Sequence, residues 1–202
     1  MKKVLHVGCG QETIKNSTKI FEADEWQETR LDIDETLDPP PHILADIRDL
    51  SQIPDCSFDA VYSSHNLEHL FAHEVEPTLK GFNRILKDDG EVFIACPDLE
   101  GIANHIVNGN LTEPIYHSPA GPIAPIDILY GHRPALKAGR HYMAHNCGFT
   151  INVLLGILKT CGFHSGAGAK DGISIWVNAI KPPDKLKEIE SRFRLHMGAE
   201  VD

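Results

Sequence analysis

The sequence has no run of the ~20 apolar residues that a bilayer span requires, so no transmembrane segment is expected. It also lacks a Lys/Arg-rich tract. With 19 basic residues against 29 acidic ones, the formal charge of −10 is the reverse of the clustered positive charge that grips a nucleic-acid backbone. Cysteine is sparse and scattered: Cys9, Cys56, Cys96, Cys147 and Cys161 include no C-x-x-C pair. That argues against a disulfide framework or a cysteine-rich zinc site and suits free thiols in a reducing cytoplasm. The opening "MKKVLHVGCG" has an apolar stretch of about five residues, short of the ~7–15 of a secretory signal. It reads as a first strand.

What is present is an alternation of short apolar runs with loops or helices. "KVLHV", "WQETRLDID", "HILADI", "FDAVYSS" and "EVFIACPD" are five strand candidates, the fourth apolar on both faces as in a covered parallel sheet. Between the last two, Leu79, Phe82, Ile85 and Leu86 recur at helical spacing, with Gly90 expected as a left-handed stop after Asp88-Asp89. From about residue 108 to residue 146 periodicity is lost in a segment rich in Pro, Gly and His, a long loop of the kind that is usually functional. "TINVLLGILKTCGF" then predicts a helix capped by Thr150 and stopped by Gly162. "HSGAGAK" and "GISIWVNAIKP" predict an antiparallel pair at one sheet edge, and residues 183–202 a helical tail. The expected fold is α/β, one domain over residues 1–182, with helices on both faces of a mostly parallel sheet.

Ligands of such sheets bind beyond the carboxyl ends of the strands, and the unusual polar groups fall there. Gly8-Cys9-Gly10 follows strand one, Asp32 strand two, Asp46 strand three, Ser63-Ser64-His65 strand four and Pro97-Asp98 strand five. Glycines at 8 and 10 let the backbone approach a ligand without a Cβ in the way. Asp32, roughly twenty residues on, is spaced as an acceptor for ribose hydroxyls, and Asp46 can accept from an exocyclic amine such as that of adenine. The site is nucleoside-shaped but not a dinucleotide site, because Thr13 stands where G-x-G-x-x-G needs its third glycine.

On these residues the sequence resembles the class I S-adenosylmethionine-dependent methyltransferases. "VLHVGCG" is similar to their first motif, "RLDID" to the ribose acid, "LADIRDL" to the adenine acid, and "FDAVYSSHNLEHL" with "LKGFNRILKDDGEVFIACPDLEGI" to the fourth motif and the unit after it. With Tyr130-Gly131 and the run from His145 to Phe163, the resemblance is to a subgroup often associated with polysaccharide or cell-surface glycan synthesis. It implies a Rossmann-like sheet of seven strands with an antiparallel edge strand, and S-adenosylmethionine held by Val7, Gly8, Cys9, Gly10, Asp32, Ile33, Asp46, Ile47, Ser63, Ser64 and His65. It also implies methyl transfer to a small-molecule acceptor, a hydroxyl of a sugar or related metabolite, with residues 108–146 as a lid. Three features depart from the family: His6 replaces the usual acid, Gln11-Glu12 follow Gly10 where a further glycine is usual, and no helix precedes strand one. The side left open by the third is expected to be covered by the tail or by a second subunit in a homodimer.

A sugar hydroxyl gains from a general base, and the candidates are His65, His69, His141 and His145, with Asp98 at the fifth strand end. Two other readings compete. A protein that binds the cofactor without transferring the methyl group would act as a regulator. His65, Glu68 and His69 also spell H-x-x-E-H, the zinc signature of a class of metallopeptidases. That signature needs a helix and a third ligand; strand-like "FDAVYSS" runs almost into it, and no spacing singles out His132, His141, His145 or Cys147. A separate metal site of His141, His145 and Cys147 is a minority reading, and no metal is expected.

Overall fold

The structure, a computed structural model, describes residues 1–21 and 25–182. The helical tail expected at 183–202 lies outside the described residues. Seven strands form one sheet: β1 (Lys2–Val7), β2 (Trp26–Asp32), β3 (Ile43–Leu44), β4 (Phe58–Ser64), β5 (Leu86–Pro97), β8 (Ser165–Asp171) and β9 (Ser174–Ile180), in the order β3-β2-β1-β4-β5-β9-β8. β1 pairs in parallel with β2 and β4, β2 with β3, and β4 with β5. β9 runs antiparallel to β5 and to the edge strand β8, which is the expected edge pair. The seven-stranded, mostly parallel sheet expected from the sequence is the one observed.

The two faces are covered unequally. One packs against α2 (Ala72–Ile85) and α6 (Ile151–Thr160), whose Val75, Leu79, Phe82, Leu154 and Leu158 join Leu5, Val61, Ile94 and Val177 in the main core. The spacing of those helical residues puts them on one stripe. On the other face Val4, Ala60, Tyr62 and Phe93 meet Ile14, Phe21 and Trp26. The helix there, α1 (Ile14–Ser17), is one turn long, so aromatic rings do the covering: Phe21 stands edge-on to Trp26, Tyr62 and Phe93 at centroid distances of 4.9, 5.9 and 5.3 Å. α6 starts as expected, with the Thr150 side chain accepting from the Val153 amide, and Gly162 follows it at φ +92°.

Four expectations need correction. The third strand is two residues long, because the prolines before it and the polar turn after it leave little to pair. Gly90 does not end α2. The helix stops at Ile85, Leu86 pairs with Phe58, and the ladder resumes at Glu91 opposite Ala60, so Lys87–Gly90 is an excursion of β5. Gly90 is required by close approach, since a Cβ there would lie 2.9 Å from the Lys87 carbonyl oxygen. A helix absent from the sequence reading, α3 (Leu99–Val107), follows β5 with Asp98 as its N-cap. Residues 108–146 hold a hairpin, β6 (Tyr116–Ser118) with β7 (Gly121–Ile123), and two short helices, α4 (Pro125–Tyr130) and α5 (Arg133–Lys137). Elements of three to six residues are too short to print a period on the sequence.

No described helix is long and apolar enough to cross a membrane. Phe82 is fully buried between helix and sheet, so Phe82→Ala is expected to cost about 3–5 kcal/mol, read in urea titrations as a lower midpoint at unchanged slope.

Candidate functional site

The order of the sheet reverses between β1 and β4, since the chain leaves β1 towards β2 and β3 and returns to β4 on the other side. A cavity of about 1030 Å³ opens at the carboxyl ends of these strands, where an open α/β sheet places its ligands. Its floor is the turn after β1. Gly8 and Gly10 have φ of +59° and +53°, a backbone that side chains disfavour, and a Cβ on Gly8 would collide with the Asn66 side-chain amide. The Gly10 amide donates to Asp32 Oδ2 at 2.9 Å, and the Asp34 amide to Asp32 Oδ1 at 3.0 Å. These bonds aim the carboxylate at the cavity and leave each oxygen a further lone pair.

The residue that holds the turn in place is one the sequence reading missed. Arg30, 3 % exposed, donates from Nη2 to the Gly10 carbonyl at 2.6 Å and from Nη1 to the Pro39 carbonyl at 2.7 Å. Its guanidinium ties the glycine turn to the proline loop after β2. His6, where the motif that the sequence resembles has an acid, has its Nδ1 2.8 Å from Glu28 Oε1, which also accepts from the Ile14 amide at 3.0 Å. A carboxylate is thus supplied from the neighbouring strand.

Of the residues expected at a cofactor, Gly8, Gly10, Asp32, Ile33, Asp46, Ile47 and His65 line the cavity; Val7, Cys9, Ser63 and Ser64 do not. Val7, Cys9 and Ser63 are buried, and burial pushes the Cys9 thiol up to about 11. A strand alternates its side chains, so not every residue at a strand end can face the crevice. Asp46 lines the cavity already engaged: Arg48 reaches both of its oxygens, at 2.9 and 2.6 Å, and bridges to Glu74 at 2.7 Å. These bonds to Arg48, opposed by burial, hold the Asp46 carboxyl below its ordinary range. Asn66 lines the cavity beside Gly8, and its buried Nδ2 has no hydrogen-bond partner. No sequence pattern marks that orphaned donor, because only the fold brings it to the glycine turn.

The four candidate histidines separate. His65 and His69 line the cavity, whereas His141 and His145 do not. His65 sits at φ +50°, a strained backbone for a side-chain-bearing residue, and turns the chain sharply out of β4. Its Nδ1 lies 3.5 Å from Glu68 Oε1. His141 is exposed in a 3-10 turn, His141–Met143, whose neighbours Arg140, Tyr142 and Met143 form the cavity's outer wall. Asp98, 1 % exposed, caps α3 and pairs with Lys170 at 2.9 Å, away from the cavity.

His145 instead packs behind the cavity wall, edge-on to His69 with ring centroids 4.9 Å apart. Five contacts hook its loop to the turn after β4. Ala144 O accepts from His69 Nδ1 at 3.1 Å, the Asn146 and Cys147 amides donate to Glu68 O at 2.8 and 3.3 Å, Asn146 Nδ2 donates to His69 O at 2.7 Å, and Cys147 Sγ to Leu67 O at 3.3 Å. Burial holds the His145 imidazole below its ordinary value, against the pull of the Glu68 charge. Leu67–His69 is a single 3-10 turn, so the helix that a peptidase signature requires is absent and H-x-x-E-H is a turn at the rim of the cavity.

Residues 5–94 match the family described as a methyltransferase domain. No curated protein matches the chain. Among solved structures, a SAM-dependent methyltransferase from Archaeoglobus fulgidus superposes with a TM-score of 0.59 at 15% identity, covering 89% of this chain and 86% of that one. The PH0226 protein from Pyrococcus horikoshii does so at 0.57 and 18% identity, over 88% and 82% of the two chains. A third is the Burkholderia thailandensis 1,6-didemethyltoxoflavin-N1-methyltransferase with bound 1,6-didemethyltoxoflavin and S-adenosylhomocysteine, at 0.53 and 15% identity, over 89% and 71%. At these identities the likeness is one of fold, and the fold is the Rossmann-like sheet of methyltransferases.

In the loop that presents His145, the buried Asp127 carboxylate pairs with the exposed Arg133. Asp127, 4 % exposed, accepts from Arg133 Nε at 2.6 Å and from the Ala124 amide at 3.0 Å. Burial pushes its carboxyl up, but the Arg133 guanidinium and the Ala124 and Arg133 amides outweigh it, so the group lies below the ordinary carboxylate value. A depressed folded-state pKa gives stability that is present above the unfolded value of about 3.9 and lost as pH falls through the folded one. Asp127→Asn is therefore expected to be less stable than wild type at pH 7 in urea titrations. The gap should close as the pH is lowered below about 4.

Proposed function

We propose that the protein is an S-adenosylmethionine-dependent methyltransferase that binds its cofactor in the cavity at the ends of β1, β2 and β4. The observation that carries this reading is the combination at one crevice of a left-handed glycine turn, a carboxylate aimed by two backbone amides, and an unpartnered buried amide donor on Asn66. The match of residues 5–94 to a methyltransferase domain supports it. S-adenosylmethionine supplies an electrophilic sulfonium methyl, and the protein's main task is to hold the acceptor in line with it.

The residues present suit that cofactor. Asp32 has free lone pairs for the ribose hydroxyls, and Ile33 and Ile47 offer apolar surface to a purine. Asp46, braced by Arg48, presents a fixed acceptor edge to its amine. Asn66 Nδ2 and the open backbone at Gly8 are available to the amino-acid end. His65, with half of its side chain exposed and its Nδ1 3.5 Å from Glu68, takes the acceptor's proton, a role that supplies about 10²–10⁴-fold. The acceptor is a small molecule, and a sugar hydroxyl is the class we favour, on the strength of the motif resemblance. The cavity, about 1030 Å³, lies at the upper end of the range of about 300–1,000 Å³ for ligand pockets, which leaves room for an acceptor beside the cofactor. Residues 108–146, through Arg140, Tyr142 and Met143, act as its lid. The Burkholderia relative, by its description, holds a small-molecule acceptor together with the cofactor product.

S-adenosylhomocysteine at micromolar concentration is expected to raise the melting temperature by mass action, and Asp32→Ala or Asn66→Ala to reduce that shift. His65→Ala should keep the shift while lowering kcat by about 10²–10⁴-fold. No shift for wild type, or one undiminished in Asp32→Ala, contradicts the cofactor site. A shift without transfer to any member of a sugar panel would favour a non-catalytic binding protein.

A further inference from the structure

Glu68, His69 and His145 each bring one ligand atom into a cluster whose members all lie within 4.8 Å of one another. Three electron-pair donors are crowded there. The tautomers are fixed by the surroundings: His69 Nδ1 lies 3.1 Å from Ala144 O and His145 Nδ1 2.6 Å from Ile128 O. A carbonyl can only accept, so both rings carry their proton on Nδ1 and keep the lone pair on Nε2. Backbone carbonyls in this role orient and enrich the imidazoles of metal centres. Glu68 is 2 % exposed, and its Oε2 has no hydrogen-bond donor. His65 approaches only the other oxygen, at 3.5 Å.

We propose that Glu68, His69 and His145 form a binding site for a divalent transition-metal ion of the zinc type. Two imidazoles and one carboxylate are a donor set that such ions accept, with one position left open. Three atoms no more than 4.8 Å apart enclose a point about 2.8 Å or less from each, so small side-chain movements reach the ~2.0–2.1 Å of a metal bond. The site draws two ligands from the H-x-x-E-H stretch and the third from a loop 76 positions on from His69, while His65, the first letter of the signature, stays outside it. His69 lines the cavity, so the open position is suited to an oxygen of the bound acceptor. This inference does not rest on methyl transfer, because metal binding is measured with neither cofactor nor acceptor present.

The test uses the full chain, stripped of metal by a chelator and desalted. Titration calorimetry with zinc is expected to show one saturable site, weakened at least tenfold in Glu68→Gln and in His145→Ala but unchanged in His164→Ala, an exposed histidine elsewhere. Circular dichroism and melting establish that each variant is folded. A wild-type measurement covers the case of a variant that is not: the cobalt-loaded protein should show two strongly shifted, exchangeable imidazole Nδ1–H proton resonances. Absence of a saturable site, retention of full affinity in folded Glu68→Gln and His145→Ala, or cobalt spectra lacking the two shifted protons would each overturn the proposal.

Discussion

The constraint on which the molecule depends is the reversal of strand order between β1 and β4. In a parallel sheet, the connections leaving these two strands diverge, and the backbone groups at their carboxyl ends are left facing an open crevice instead of a neighbour. Each functional feature is a way of filling or lining that crevice. The glycine turn lets the chain leave β1 without a side chain in the way. The left-handed His65 turns it out of β4 and carries Asn66 against Gly8. The pairing of β1 with β2 on one side and β4 on the other fixes Asp32 and His65 on opposite walls.

The turn at Gly8–Gly10 has fewer glycines than the methyltransferase motif it resembles and a histidine where that motif has an acid. The structure shows how the shape is kept. Arg30 lies beneath the turn and binds its carbonyl oxygen, and Glu28 takes over the carboxylate's contact with the Ile14 amide. Both come from β2, the strand that also bears Asp32, so one strand supplies the carboxylate at the cavity and the frame of the turn beside it. A buried guanidinium is tolerated only where its donors are satisfied, and the Gly10 and proline-loop carbonyls meet most of that need. Swapping the glycine pattern for a buried clamp moves the constraint from local backbone freedom to tertiary contact.

That shift explains what could be read from the sequence. Strands β1, β4 and β5 announced themselves as apolar runs ending in Gly, Ser-His or Pro-Asp, and the sheet follows from them. Asp32 and Asp46, which line the cavity, were legible because each follows a strand candidate, Asp32 also by its spacing from the glycines. Arg30 and Asn66 were not, since an arginine within a strand and an asparagine after one carry no local signal of burial against a turn. The cluster of Glu68, His69 and His145 joins residues 76 positions apart across α2, β5, α3 and the short elements of residues 108–146, and no local pattern marks that meeting. H-x-x-E-H matched a signature that needs a helix; the strand running into it argued against one, and the chain there makes a single 3-10 turn. Ser63 and Ser64 were expected at the cofactor because they end a strand, and neither lines the cavity.

Methyl transfer by positioning asks little of any single side chain and much of the crevice. The central claim is accordingly geometric, that the cavity at the β1/β4 reversal is a nucleoside-cofactor pocket. A crystal structure of the protein with S-adenosylhomocysteine tests it most directly. The account predicts the ribose hydroxyls on the Asp32 carboxylate, the purine between Ile33 and Ile47, and the amino-acid end beside Gly8 and Asn66. Binding elsewhere, or with the ribose remote from Asp32, would contradict it.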